Sequence, residues 1–508
     1  MASIRLQAAR GYDRDNLPLQ GREDSSEMVQ EEKSAPGVSL AGRLEPLIVG
    51  FAAFLLYAVT GAREMQWGDP AKLTQFVHDG VLLFSQEAHI GHILFSMPFS
   101  HIPLGSFVLR MHLSSALTLG AAMGVGQAVL IGLGLSRPAT RIAIAAVAVA
   151  HTIWFTGTIF ESYPLVLLSL AAAAWLFVVA GRCFMGGVLL GFGATVHPIT
   201  LFGLPGIAYG LWKSEHGRRG VVHLVGGLVV GAVLPVLGVL LVLQDEATLG
   251  INWMSASRQY GGLAYPLRNI PMLLGYAVYN FASPALVLLL IGMRRLTPNA
   301  LRTAVLFAAP HYLVAIFWLP QRSYLIPLPV YFAAAFVIAL GAEAVLRSWR
   351  RPRWILSFPI VALPILAYWM APPIFTRLGF ERTLRNAPYR NEATYFVQPW
   401  KIGERSARDY LDDLAEVLPP EPVVVGDWLL HTTVHAGQRV EGWREDATLF
   451  NANAEPCEEV AEAYRAGRRI FILDDTPGYM PQCFLRLGPR RPVPGVERLT
   501  EVLRDETG

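Results

Sequence analysis

The sequence predicts a polytopic α-helical membrane protein of about eleven spans with a small C-terminal α/β extracytoplasmic domain. Three observations predict it. The 508-residue chain is 53% hydrophobic and only 16% charged, with a mean hydropathy of +0.39. Water-soluble domains are markedly more polar. Its long apolar runs stop near residue 371, and the stretch that follows has the composition of an ordinary globular domain. The expected division is therefore a disordered cytoplasmic tail over 1–43, a membrane domain over 44–375, and an extracytoplasmic α/β domain over 376–508.

The tail carries Arg5, Arg10, Arg14 and Arg22 and an acidic pair, Glu31-Glu32, with little apolar content. It has no apolar core behind a basic start, so it does not read as a cleavable signal peptide. The run at 45–61 then serves as an uncleaved signal anchor. Further runs lie at 110–134, 140–158, 163–180, 184–197, 199–212, 220–243, 270–292, 301–319, 324–346 and 354–371. The stretch 90–106 is apolar too, but Pro98 and Pro103 break it and His89, His92 and His101 accompany it. It reads as a juxtamembrane or re-entrant segment.

Arginine and lysine set the orientation, because short cytoplasmic loops are enriched in them. With the N-terminus inside, the inner loops hold Arg137, Arg141, Arg182, Lys213, Arg218, Arg219, Arg294, Arg295, Arg302, Arg347, Arg350, Arg351 and Arg353. The later outer loops hold only Arg258, Arg268 and Arg322. The loop 62–109, Glu161, His197 and the whole C-terminal stretch then lie outside. High alanine, glycine and arginine usage is compatible with a high-GC prokaryote, and so with a bacterial plasma membrane.

The C-terminal stretch reads as helix at Ser406–Val417, buried strand at Pro422–Asp427, helix at Cys457–Ala466, strand at Arg469–Asp474 and helix at Val496–Leu503. That order favours a small α/β domain with parallel pairing. No glycine-rich phosphate loop opens a helix there, so nucleotide binding is not indicated. No basic patch interleaved with aromatics points to nucleic acid. Cys457 and Cys483 would lie in an oxidising compartment, where a disulfide between them is open. No cysteine and histidine spacing matches a structural zinc site.

Two acids at span ends are the leading candidates for chemistry, because carboxylates at a bilayer edge are costly. Asp69, in Trp67-Gly68-Asp69-Pro70, reads either as a turn former or as a general base that takes a proton from an acceptor hydroxyl. Glu161, in Phe160-Glu161-Ser162-Tyr163-Pro164, has almost no loop around it. Its bland reading is a first-turn acid favoured by the helix dipole. Tyr163 could orient either acid or pack on a sugar ring. His89 and His92 are three apart and would share a helical face, to bind a metal or grip a phosphate. His197 sits before Pro198 at another outer span end. Arg258 and Arg322 offer guanidinium forks to a lipid phosphate or to lipid headgroups.

These segments resemble the GT-C superfamily of membrane glycosyltransferases, and within it the protein O-mannosyltransferase-like branch. The resemblance lies in Trp67-Gly68-Asp69, the histidine-bearing stretch, Leu109-Arg110-Met111-His112-Leu113-Ser114-Ser115-Ala116 and Phe160-Glu161-Ser162-Tyr163. It covers roughly residues 45–205. It implies a sugar donor carried on polyprenyl phosphate and an acceptor protein, lipid or glycan, both met at the outer face. It maps the catalytic base onto Asp69 and the second acid onto Glu161, with Tyr163 beside it. The chain departs from the pattern in reading His89-Ile90-Gly91-His92 where relatives often have His-Pro-Pro, and in placing Pro70 after Asp69 where relatives often have a second acid. No resident cofactor is implied, and a divalent metal is left open. The rival readings are a transporter, a lipid-carrier binding protein, and a scaffold that keeps the fold without chemistry.

Overall fold

The computed structural model describes residues 40–82, 89–242, 264–318, 324–348, 354–378, 386–454, 457–476 and 482–504. Arg258 and Arg322 lie outside them, as does nearly all of the N-terminal tail.

Each apolar run of the sequence falls on helix, but many helices are short or bent. They are α1 (Leu40–Thr60), α2 (Asp69–Asp79), α3 (Ile90–Ser100), α4 (Phe107–Gly132), α5 (Arg137–Ala148), α6 (His151–Gly157), α7 (Tyr163–Val178) and α8 (Cys183–Val196). A 3₁₀ turn (Pro198–Gly203) leads into α9 (Leu204–Lys213), α10 (Gly217–Val242), α11 (Ala264–Asn280), α12 (Pro284–Met293), α13 (Pro298–Phe317), α14 (Leu328–Ser348) and α15 (Trp354–Arg377). Among the described residues, five helices are long and apolar enough to cross a membrane, or up to seven if each bent pair is one span. The protein is thus an integral membrane protein with fewer clear crossings than the expected eleven.

The shortfall has a local cause. The run 140–158 breaks into α5 and α6 with a 70° bend, and 270–292 into α11 and α12 with a 107° bend. Pro284 starts α12, and a proline disfavours helical geometry in the residue before it. The run 199–212 begins as 3₁₀ helix behind His197-Pro198. The stretch 90–106 contributes α3, an 11-residue apolar helix. At 1.5 Å per residue it is about 16 Å long, half of what a bilayer core requires.

Close helix packing holds the bundle together. Where α1 crosses α4, a Cβ on Gly120 would lie 2.7 Å from Gly50 O, and one on Gly124 would lie 2.6 Å from Pro46 O. Only glycine lets these backbones touch, and such contact drives helix association where lipid removes the hydrophobic effect. At the end of α1 away from Asp69, buried Glu45 meets Arg137 Nη1 at 2.7 Å and Arg141 Nε at 2.8 Å, and accepts from Gln127 at 2.8 Å. This third membrane acid is answered by structure alone.

The C-terminal stretch forms α16 (Glu392–Val397), α17 (Ser406–Val417), β1 (Val423–Gly426), α18 (Trp428–Glu441), β2 (Thr448–Asn451), α19 (Cys457–Arg465), β3 (Ile470–Ile472), α20 (Gln482–Leu485), β4 (Arg490–Pro492) and β5 (Thr500–Val502). The sheet order is β2-β1-β3-β5-β4. The strand β1 runs parallel to β2 and β3, whereas β5 is antiparallel to both β3 and β4. Alternate residues serve two faces. Val424 and Phe471 join the core with α17 and α18, while Val423, Val425, Ile470 and Ile472 join that of Val460 and Phe484.

Two expectations are corrected here. Pairing is mixed, not parallel throughout, and Thr500–Val502 is strand where helix was expected over 496–503. The strand places Glu501 between Arg469, beside β3, and Arg491 of β4. In the sheet it is 7% exposed and held at 2.7 Å by both Arg469 and Arg491.

Cys457 and Cys483 are joined by a disulfide, with Cα atoms 6.0 Å apart and a sequence separation of 26. A loop of that size is worth about 2–4 kcal/mol through the unfolded chain. Cys457→Ser should therefore lower the unfolding midpoint in non-reducing buffer and make it insensitive to reductant. A native midpoint that reductant does not move would contradict this.

Candidate active site

The first acid is set by an unusual local backbone. Gly68 caps α2 at φ +76°, a left-handed conformation that glycine adopts without strain. A side chain here would also meet Leu429 Cδ1 at 3.1 Å and the Trp428 ring at 3.3 Å. Asp69 is the first helical residue, and Pro70 occupies the first turn, where its missing N–H costs nothing. Gly-Asp-Pro is thus a helix start and not a free turn. The half-buried Asp69 carboxylate sits at the positive end of the α2 dipole.

The C-terminal unit holds this helix start in place. Trp67 is 3% exposed and belongs to the core that also contains Tyr410, Leu430 and Val434. Its indole donates to Ser406 Oγ at 2.9 Å and tilts against Tyr410 with centroids 5.4 Å apart. The Gly68 amide donates to Thr433 Oγ1 at 3.2 Å. At the far end of α2, Arg439 of α18 bonds both oxygens of Asp79 at 3.2 Å. Burial works to raise the Asp79 carboxyl, but Arg439, His78 and Gln75 outweigh it and hold it below its ordinary value.

The second acid lies in the turn between α6 and α7. The Glu161 amide donates to Ser115 Oγ of α4 at 3.2 Å. Its neighbour Phe160 is fully buried with Leu73 and Val77 of α2, Ile93 of α3 and Met111 of α4. One apolar cluster therefore joins the helix that begins at Asp69 to the turn that carries Glu161. The loops are also bonded directly: the Ala62 amide donates to Thr158 O at 2.8 Å, and Trp154 Nε1 to Thr60 Oγ1 at 2.8 Å.

The histidines divide. His89 does not share a helical face with His92, because it stands before α3 in a left-handed conformation, φ +46°. Its ring stacks on His197 with centroids 4.9 Å apart and bonds Val196 O at 2.8 Å through Nδ1. His197 in turn meets Tyr163 at 5.1 Å. Its Nδ1 accepts from the Ile199 amide at 3.1 Å, which leaves Nε2 as the N–H donor. His92 instead packs on Phe160 at 4.7 Å, and neither of its buried nitrogens has a hydrogen-bond partner among the described residues. Among the described residues, no group of three or more His, Cys, Asp or Glu could hold a metal ion. The structure thus brings Glu161, Tyr163, His197, His89 and His92 to one end of the bundle around Phe160, with Asp69 joined to it through α2.

Reading the sequence missed the part contributed by 390–401. Tyr395 packs edge-on against Phe155, centroids 6.0 Å apart, and carries Arg390 over its ring at 4.4 Å. Burial pushes the Tyr395 phenol up, Arg390 opposes this, and Glu404, Glu161 and Glu392 add to it. Tyr395 is therefore within electrostatic reach of Glu161. The one signal for this segment was its run of apolar and aromatic residues, Tyr395-Phe396-Val397 and Pro399-Trp400, within an otherwise polar stretch.

Toward the other end of the bundle a cavity of about 210 Å³ lies between α4, α5, α7, α9, α13 and α14. Its walls include Leu130, Leu133, Leu170, Phe177, Ile207, Phe307, Phe332 and Phe336 and, among the described residues, carry no charged side chain.

The apolar helical bundle, with two acid-bearing loops gathered beneath a mixed α/β unit, is a fold found in known structures. Two crystal structures of ArnT from Cupriavidus metallidurans share it with this chain. The apo structure superposes with a TM-score of 0.53 at 16% identity, and the structure bound to undecaprenyl phosphate with 0.51 at 13% identity. Each match covers 91% of this chain and 98% of the ArnT chain. No family model and no curated protein sequence matches the chain.

Proposed function

We propose that the chain is a membrane glycosyltransferase that moves a sugar from a polyprenyl-phosphate carrier to a hydroxyl acceptor at the outer face of the membrane. The observation that carries this reading is the joining of Asp69 and Glu161 at one end of a bundle whose fold is that of a protein crystallised with undecaprenyl phosphate. The acceptor class, a protein, lipid or glycan, and the O-mannosyltransferase-like branch belong to the proposal.

Asp69 accepts the proton of the acceptor hydroxyl as its oxygen bonds to the anomeric carbon. The bond from that carbon to the phosphate oxygen breaks, and polyprenyl phosphate leaves with the electron pair. One displacement inverts the anomeric centre. Asp69 suits the role because its position is fixed from two sides, through Gly68 by the C-terminal unit and through Leu73 by the bundle. Glu161 and Tyr163 orient the sugar, and the His197 Nε2–H donates to an oxygen of the donor. Arg322 and Arg258 balance the charge of the departing phosphate. The apolar walls of the bundle suit an isoprenoid chain. The C-terminal unit covers the site and guides the acceptor.

The test is transfer of labelled sugar from a panel of polyprenyl-phosphate donors by the purified protein. Lipid binding without transfer across the panel would favour the carrier-binding or scaffold reading. The orientation is tested separately. Tags at the N-terminus and in the 213–219 loop should be shielded from outside reagents in intact cells, and a tag at residue 508 should be reached. A shielded C-terminus would reverse the assignment of the site to the outer face.

A further inference from the structure

We propose that Lys401 is a positioning residue for this site: its ammonium group, buried where three chain segments meet, holds the 395–401 strap against the turn that carries Glu161. The effect on sugar transfer rests on the glycosyltransferase reading, whereas the effect on the turn does not.

Lys401 is 2% exposed, which is rare for a lysine. Its Nζ donates to Gln398 O at 2.5 Å and Trp400 O at 3.2 Å. It lies over the rings of Phe155 at 4.6 Å and Tyr395 at 4.8 Å. Among the described residues no carboxylate forms an ion pair with it. Carbonyls and ring faces take the place of a counter-ion, a costly arrangement for a buried charge. A methionine would fill much the same space without a charge to desolvate. A cationic group kept at such a position points to a demand of the site rather than of the fold.

The strap it closes ties the two acid-bearing loops. The Lys401 amide donates to Thr60 O at 2.7 Å, at the end of α1 and nine residues before Asp69. Thr158 Oγ1, three residues before Glu161, donates to Pro399 O at 2.7 Å. Trp400 packs on Trp154 with centroids 5.7 Å apart. The ammonium thus bonds the carbonyls of a strap whose backbone grips both loops, and it rests on the last turn of α6 through Phe155 and on Tyr395, which Glu161 influences.

The charged and titratable groups facing Lys401 are Glu404 and Arg390 from its own segment, Tyr395, and His151 from α6. Glu161 and Glu392 lie beyond Tyr395. Burial pushes the Lys401 pKa down from its ordinary 10.5 to about 7; Glu404 opposes this and Arg390 adds to it. Between those two values the folded protein binds fewer protons here than the unfolded chain. Stability therefore rises with pH through that window, and the contribution disappears when the lysine is removed.

The experiment compares the native full chain with Lys401→Met and Lys401→Arg in detergent. At pH 6, amides of 158–163 should exchange about tenfold faster in Lys401→Met, while those of β1 and β3 keep native protection. Lys401→Arg should stay closer to native. The rise of the unfolding midpoint between pH 7 and 10 should flatten in Lys401→Met. Where the native protein transfers sugar, kcat should fall by as much as about 10²-fold with little change in donor KM, because acids shifted by an ångström react poorly. Native exchange and a native pH slope in Lys401→Met would overturn the proposal whether or not transfer is observed. So would a Lys401→Met protein that fails to fold at every pH, since the charge would then serve the fold. Faster exchange of the turn, with no transfer by the native protein from any donor, would leave Lys401 as proposed and remove the glycosyltransferase reading.

Discussion

Asp69→Asn should lower the rate of sugar transfer by about 10²–10⁴-fold, the usual loss when a positioned general base is removed. The fold should survive. Asparagine has nearly the same shape and is tolerated at helix starts, and the charge–dipole interaction that the change removes is worth about 0.3–1 kcal/mol. Donor KM should change little, because the proton acceptor acts in the transition state and not in the grip on the lipid. Near-normal transfer by a well-folded Asp69→Asn protein would remove Asp69 from the chemistry. Loss of donor binding in step with the loss of rate would make it a binding residue instead.

Trp67→Ala should have the largest effect on stability. Removing a fully buried tryptophan typically costs about 3–5 kcal/mol. Trp67 fills the core between α17 and α18 and bonds Ser406, so the damage should fall on the C-terminal unit. It should also reach Asp69, because Trp67 is the point at which the first loop is plugged into that unit. Trp67→Phe should recover most of the packing but not the hydrogen bond to Ser406. The checks are thermal unfolding, proteolysis of the C-terminal unit and transfer, measured on both variants. A Trp67→Ala protein with native stability and native transfer would break the link between the C-terminal unit and the acid.

The helical, membrane-embedded character of the chain was legible because long apolar runs obey simple rules. What those rules missed was local. They counted 140–158 and 270–292 as straight crossings, yet each bends sharply, and run length carries no information about a bend. The strand at Thr500–Val502 read as helix because its two arginine partners at Glu501, 32 and 10 residues away, meet it only across the sheet. Asp69 and Glu161 stood out as acids beside apolar runs, but so would Glu45, which is answered by Arg137 and Arg141. Spacing could not separate the two cases. The pairing of His89 with His197 was hidden by the left-handed backbone at His89, which takes it off the helical face it would otherwise share with His92. Lys401 was invisible for a related reason, since a lone lysine in a polar stretch reads as solvent-exposed until the fold buries it.

In the proposed reaction Asp69 and Glu161 face one site for a lipid-linked phosphate. An experimental structure of the protein incubated with polyprenyl phosphate tests it most directly. Headgroup density is expected at the end of the bundle bounded by the start of α2 and the Phe160–Tyr163 turn, with Arg322 at the phosphate and the chain running down the apolar bundle. A headgroup at the opposite end, near Glu45, Arg137 and Arg141, would contradict it.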